Sequence, residues 1–69
     1  MNVYFEIFSH EFVEVFIPDI GFIEFTGTHA IDLMLSKMIE RYGSSLNLIE
    51  FTDDLFDGML DSGEFEGYY

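Results

Sequence analysis

Carboxylates are the side chains of this 69-residue sequence whose number and spacing point to chemistry. Fourteen Asp and Glu residues stand against two Lys and Arg residues, so the formal net charge is −12. Asp53, Asp57 and Asp61 recur at every fourth position, and a helix there would place them on one side, about 6 Å apart. Successive phosphates along a nucleic-acid strand have a similar separation. The same segment carries three more carboxylates, on Asp54, Glu64 and Glu66.

A second group of carboxylates, Glu6, Glu14 and Glu24, lies at the middle of three segments with the composition of strands. Strand side chains alternate between two faces about 4.8 Å from the next strand, so these glutamates would form a row of like charges. Aromatic residues flank them on the same face, which carries Tyr4, Glu6, Phe8, Phe12, Glu14, Phe16, Phe22, Glu24 and Thr26. Two interpretations remain open. In the first, the glutamates keep this face soluble, and the last helix or a second subunit half covers its aromatic residues. In the second, the face binds a partner through Phe12 and Phe16.

Residues 53–64 are similar to the calcium loop of EF-hand proteins, because Asp, Gly and Glu occupy several of its positions. Leu55, however, stands where an oxygen ligand is needed, and Phe56 adds a large apolar side chain. We therefore expect no metal site in this segment.

Catalytic patterns are weaker still. The two histidines, His10 and His29, lie outside any metal-ligand or Ser/His/Asp pattern, and the sequence has no Gly-rich phosphate loop. Carboxylates are so abundant that a pair at catalytic distance would carry little information. The sequence predicts a protein that is not an enzyme and needs no cofactor.

The elements that would position these groups follow from hydrophobic periodicity. The pattern predicts strands over residues 2–8, 11–17 and 22–26, a helix over 28–42, a possible strand over 46–51 and a short acidic helix over 53–60. Thr28 is a suitable N-cap for the main helix and Gly43 a suitable end. The other face of these three strands carries no charged residue. Its apolar residues match an apolar stripe along the main helix. We expect one α+β domain over residues 1–69, an antiparallel three- or four-stranded sheet with one main helix on one face.

Composition limits the partners. With 49% hydrophobic and 19% aromatic residues the chain has the material for a folded core, unlike acidic disordered chains. A charge of −12 excludes nucleic acid and anionic membranes as direct partners, since both attract basic surfaces. A basic protein is the expected partner, and a homodimer is possible. The N-terminus has no signal-peptide pattern, so the cytoplasm is the expected compartment (that of the host cell, if a phage encodes the protein).

Short length, strong negative charge, abundant aromatic residues, the absence of Cys and the acidic run over residues 52–57 together resemble the small acidic inhibitors that phages direct against host nucleic-acid enzymes. That group includes DNA mimics of the anti-restriction and anti-CRISPR type and the uracil-DNA glycosylase inhibitors. The resemblance implies a non-catalytic inhibitor that binds a basic nucleic-acid-binding protein and blocks its DNA or RNA site with carboxylates in place of phosphates. The alternative is an acidic structural adaptor or homo-oligomeric subunit that uses the aromatic sheet face.

The expected contact residues are the two acidic groups and two aromatic side chains. They are Asp53, Asp54, Asp57, Asp61, Glu64, Glu66, Glu6, Glu14, Glu24, Phe12 and Phe16.

Overall fold

Three strands form from the N-terminal third, where β-branched and aromatic residues dominate. In the computed structural model, which describes residues 1–68, β1 spans Asn2–Ser9, β2 spans Phe12–Ile17 and β3 spans Gly21–Thr26. Both connections are tight, and the three strands pair antiparallel. The β2–β3 turn needs left-handed backbone at Asp19 (φ 74°), and Gly21 has φ 115°, a conformation that glycine adopts without steric cost.

The fourth strand makes the sheet mixed. β4, Asn47–Glu50, pairs parallel with β1, and the strand order is β3-β2-β1-β4. The α+β class is confirmed, but the expectation of a purely antiparallel sheet is wrong at this edge. The reason is the helical crossover: the chain leaves β3 at one edge, crosses the sheet as a helix and returns at the opposite edge in the direction of β1.

The crossover helix, α1, spans Ala30–Tyr42. His29 is its N-cap instead of Thr28, because the hydrogen-bond ladder begins where the Leu33 N–H donates to the His29 carbonyl at 2.8 Å. The helix ends at Gly43, which has φ 55°. Its buried side packs on the charge-free face of the sheet, and this inner layer has as its core Val3, Val13, Val15, Ile17, Ala30, Met34 and Met38.

A second helix covers the other face. α2 spans Asp53–Asp61 and begins at Thr52, whose Oγ1 accepts a hydrogen bond from the Leu55 N–H at 3.1 Å. Turns follow it and place the ring of Phe65 against the sheet, with 1% of the residue exposed. This outer layer consists of buried Phe16, Met59 and Phe65, surrounded by Tyr4, Phe22, Phe51, Leu55 and Phe56. The sheet thus lies between two helical layers, one aliphatic and one aromatic.

Candidate interaction surface

The side of α2 that faces away from the sheet carries four aspartates. Its core residues Leu55, Phe56 and Met59 face the sheet. At 3.6 residues per turn, the four aspartates of the helix span roughly 100° on the opposite side. All four are exposed: Asp53, Asp54, Asp57 and Asp61. The first two lie in the first turn, where the helix dipole stabilises negative charge.

An open groove of about 500 Å³ lies between α2 and the carboxyl ends of β1 and β4. Four acidic residues line it: Glu6, Glu50, Asp53 and Asp57. Apolar side chains line it as well, those of Ile7, Phe51 and Phe56. Sequence reasoning missed Glu50, because only the parallel pairing of Phe5 with Glu50 places it beside the end of β1.

The pairing of the strands places the three glutamates in a row. Glu6 is paired with Glu14 across β1 and β2, and Glu14 with Glu24 across β2 and β3. Burial at the centre of the row raises the pKa of Glu14, and the charges of Glu24 and Glu6 raise that pKa further. Because Glu6 also lines the groove, the row and the acidic side of α2 form one continuous surface. We call it the acidic band, and it consists of Asp53, Asp57, Glu50, Glu6, Glu14 and Glu24.

The two predicted aromatic contacts differ in exposure. Phe16 is 1% exposed, and its ring centroid lies 4.8 Å from that of Phe65 in an edge-on contact. Its side chain therefore belongs to the core of the outer layer, and Phe16 is withdrawn as a contact residue. Phe12 is half-buried and stacks on Phe8 with ring centroids 5.1 Å apart. Phe8, which is 52% exposed, is the aromatic residue that the prediction omitted.

The last two predicted carboxylates lie apart from the acidic band. Glu64 lines a small hollow with Asp19 and Tyr68, next to the β2–β3 turn. Glu66 lies beside Leu60, in the turns that carry Phe65. Both are exposed and add to the negative charge of the surface, but neither lines the groove.

Basic side chains do not neutralise the acidic band. Among residues 1–68 the one contact within 4 Å between a basic and an acidic side chain joins His10 Nε2 to Glu11 Oε1, at 3.8 Å. Lys37 and Arg41 lie on α1, on the opposite side of the sheet, and the Arg41 guanidinium lies 5.7 Å from the centroid of the Tyr42 ring. Within residues 1–68, no Lys or Arg side chain lies within 4 Å of a carboxylate of the band.

The segment that is similar to a calcium loop has a different conformation. Most of it, residues 53–61, is helical, and Leu55 packs in the outer core. In the part of the chain that the structure describes, no three His, Asp or Glu side chains are grouped closely enough to hold a metal ion. Neither helix of this part is long and apolar enough to cross a membrane.

No protein-family model matches the chain, and no curated protein and no solved structure is significantly similar to it.

Proposed function

We propose that this protein is a non-catalytic inhibitor that binds a basic nucleic-acid-binding protein and blocks its DNA or RNA site. The acidic band is the observation that carries the proposal. It places carboxylates from α2, β4 and three strands on one surface, and no Lys or Arg among residues 1–68 pairs with them. Such a surface fits an array of Lys and Arg side chains that normally holds phosphates.

Electrostatics would supply the association rate. A net charge of −12 on a small domain steers a cationic partner over about one Debye length, which grows from roughly 10 Å at 0.1 M salt to roughly 30 Å at 0.01 M. On contact, each band carboxylate accepts charge-assisted hydrogen bonds from Arg or Lys, the same groups that bind phosphate oxygens. The inhibitor therefore competes with nucleic acid for the same donors.

Apolar groups beside the band would slow the dissociation of the complex. Phe8 stacks on Phe12 at the open end of the outer face, and Phe56 lines the groove together with its four acidic residues. Aromatic side chains next to charges are typical binding anchors, because their burial excludes water from the ion pairs around them. Phages encode small acidic inhibitors of this type, so an anti-CRISPR or anti-restriction role belongs to the proposal.

The adaptor alternative receives less support. It needs the aromatic sheet face to be available to a second chain, and α2 with Phe65 covers most of that face within the chain. Only the Phe8–Phe12 end of it is open.

Displacement of DNA tests the proposal. A CRISPR effector, a restriction endonuclease and a uracil-DNA glycosylase, each bound to fluorescently labelled DNA, are titrated with the protein while anisotropy is followed at several salt concentrations. Asp53→Lys with Asp57→Lys changes the net charge by four, two for each substitution. The matched control changes it by the same four on the α1 side: Asp32→Lys contributes two, Ser36→Lys one and Ser44→Lys one.

We expect the wild type to displace DNA from one of these enzymes, with a steep loss of affinity as salt rises. The band variant should be at least tenfold weaker, and the α1-side control should keep most of its affinity. Equal losses in the two variants would mean that only net charge matters and would refute the band as the site. If none of the enzymes is inhibited and a bacterial lysate yields no nucleic-acid-binding partner, the function is wrong.

A further inference from the structure

We propose that two copies of this chain pair through their β3 strands, at the edge of the sheet opposite to β4 and to the groove beside α2. The inference does not depend on the proposed function. It starts from β3, which is the outermost strand on its side of the sheet. The Gly27 N–H donates to the Glu11 carbonyl at 3.0 Å, so the antiparallel alternation turns the N–H and C=O groups of Glu24 and Thr26 toward the outer edge.

A groove of about 480 Å³ runs beside this edge, between β3 and the C-terminal half of α1. The side chains of Ile23 and Phe25 line it and are only half-buried, because α1 lies over β2 and β3 and does not extend past β3. Met38 lines it from the helix. An apolar strip next to an open strand edge is the surface that strand addition covers.

Charge identifies the occupant as a second copy. The two basic residues of the sequence, Lys37 and Arg41, both line this groove together with Glu40. No other groove of residues 1–68 described above is lined by a Lys or Arg side chain. Here a two-fold axis places the cations of each copy next to Glu40 of the other, and a two-fold interface requires such self-complementary charges.

Helix spacing supports the same arrangement. With strands about 4.8 Å apart, a helix centred over β2 and β3 lies about 5 Å from the axis between two paired β3 strands. The two copies of α1 would then be about 10 Å apart, which is the distance at which helices pack. Pairing the strands would therefore also close the groove.

The register follows from the charges on the edge. An axis at Glu24 would oppose two carboxylates directly, which is unfavourable. An axis at Phe25 lets Glu24 of one copy and Thr26 of the other exchange main-chain hydrogen bonds, and it opposes the two Phe25 rings under the helices. Because α2 lies on the other face of the sheet, the acidic band stays exposed on both copies, so the dimer would be bivalent.

Sedimentation equilibrium from 10 to 300 µM is the test, with circular dichroism of each variant to show that it is folded. We expect the wild type to sediment at twice the monomer mass at the upper end of this range. Thr26→Pro removes the outward N–H at a position where an edge strand tolerates proline, and it should weaken the dimer at least tenfold. Thr26→Val keeps that N–H and should dimerise like the wild type.

A second pair of variants tests the charges. Lys37→Gln with Arg41→Gln lowers the net charge by two, and Ser36→Glu with Ser44→Glu lowers it by the same two outside the groove. Only the first should lose the dimer. A monomeric wild type at 300 µM, or a dimer that Thr26→Pro leaves intact, would overturn the proposal. Sedimentation reports the dimer and DNA displacement reports the inhibitor contact, so failure of one proposal is distinguishable from failure of the other.

Discussion

The two layers on either side of the sheet are built from the same three strands and differ in almost everything else. The inner layer joins valines of the strands to Ala30, Met34 and Met38 of α1, and the strand residues that face it are free of charge. The outer layer joins aromatic rings to α2, and the same strands place a glutamate in the middle of it. Alternation along these strands therefore confines their charged side chains to one of the two packed faces of the sheet.

Packing on the outer layer must offset the repulsion beside it. Phe16 makes ring contacts with Tyr4, Phe22, Phe65 and Tyr68, at centroid distances from 4.8 to 6.3 Å. These rings lie next to the row of glutamates and under the acidic helix. The acidic band thus rests on an aromatic core of its own, and its geometry depends on that core.

Removal of the central ring should have the largest effect. Phe16→Ala should destabilise the domain by about 3–5 kcal/mol, because a large cavity replaces a residue that is 1% exposed. The total free energy of unfolding of a domain of this length is roughly 3–10 kcal/mol. The substitution should therefore remove a large part of it, and much of the variant should be unfolded. Urea unfolding followed by circular dichroism measures it.

Phe8→Ala is the control, since Phe8 lies on the same face and is half exposed. Its free energy of unfolding should change by less than about 1 kcal/mol. Similar losses in the two variants would mean that the outer layer is not packed as described.

The two helices should respond differently to loss of a threonine at their N-termini. Thr52→Ala removes the side chain that accepts the Leu55 N–H, and it should lower the free energy of unfolding by about 1 kcal/mol. Thr28→Ala should change it by no more than about 0.5 kcal/mol, because α1 begins at His29 and has no side-chain cap. Thermal melts of the two variants compare them directly, and a larger loss at Thr28 would place the start of α1 one residue earlier.

The smallest effect should come from the glutamate row, and it should depend on pH. The pKa of Glu14 is raised in the folded state, so folding favours its protonated form and this repulsion is relieved as the pH falls. Glu14→Gln should therefore stabilise the domain at pH 7, by a few tenths to about 1 kcal/mol.

The gain should shrink as the pH falls through the folded pKa of Glu14 and should be gone below its ordinary value of 4.5. Glu11→Gln, which removes an exposed carboxylate outside the row, is the control. A gain of equal size at pH 7 and pH 4 would show that the amide packs better for reasons unrelated to charge.

Much of the architecture was predictable from local pattern. Period-two alternation separated a charge-free strand face from a face of rings and glutamates, and helical periodicity matched Met34 and Met38 to the former. These patterns are readable because the side-chain direction at each position depends only on the local backbone. The glutamate row was predictable for the same reason, once the two hairpins set the order of the strands.

Other features depend on contacts between distant residues. The parallel pairing of β4 with β1 places Glu50 beside Glu6, and a residue as late as Phe65 fills the centre of the outer layer. That layer removes Phe16 from the surface and leaves Phe8 exposed, although both rings lie on the same face of adjacent strands. Strand alternation assigns a side chain to a face. Whether that face is open to a partner depends on which later segment packs against it, and the free energy of that packing comes from contacts that no local pattern contains.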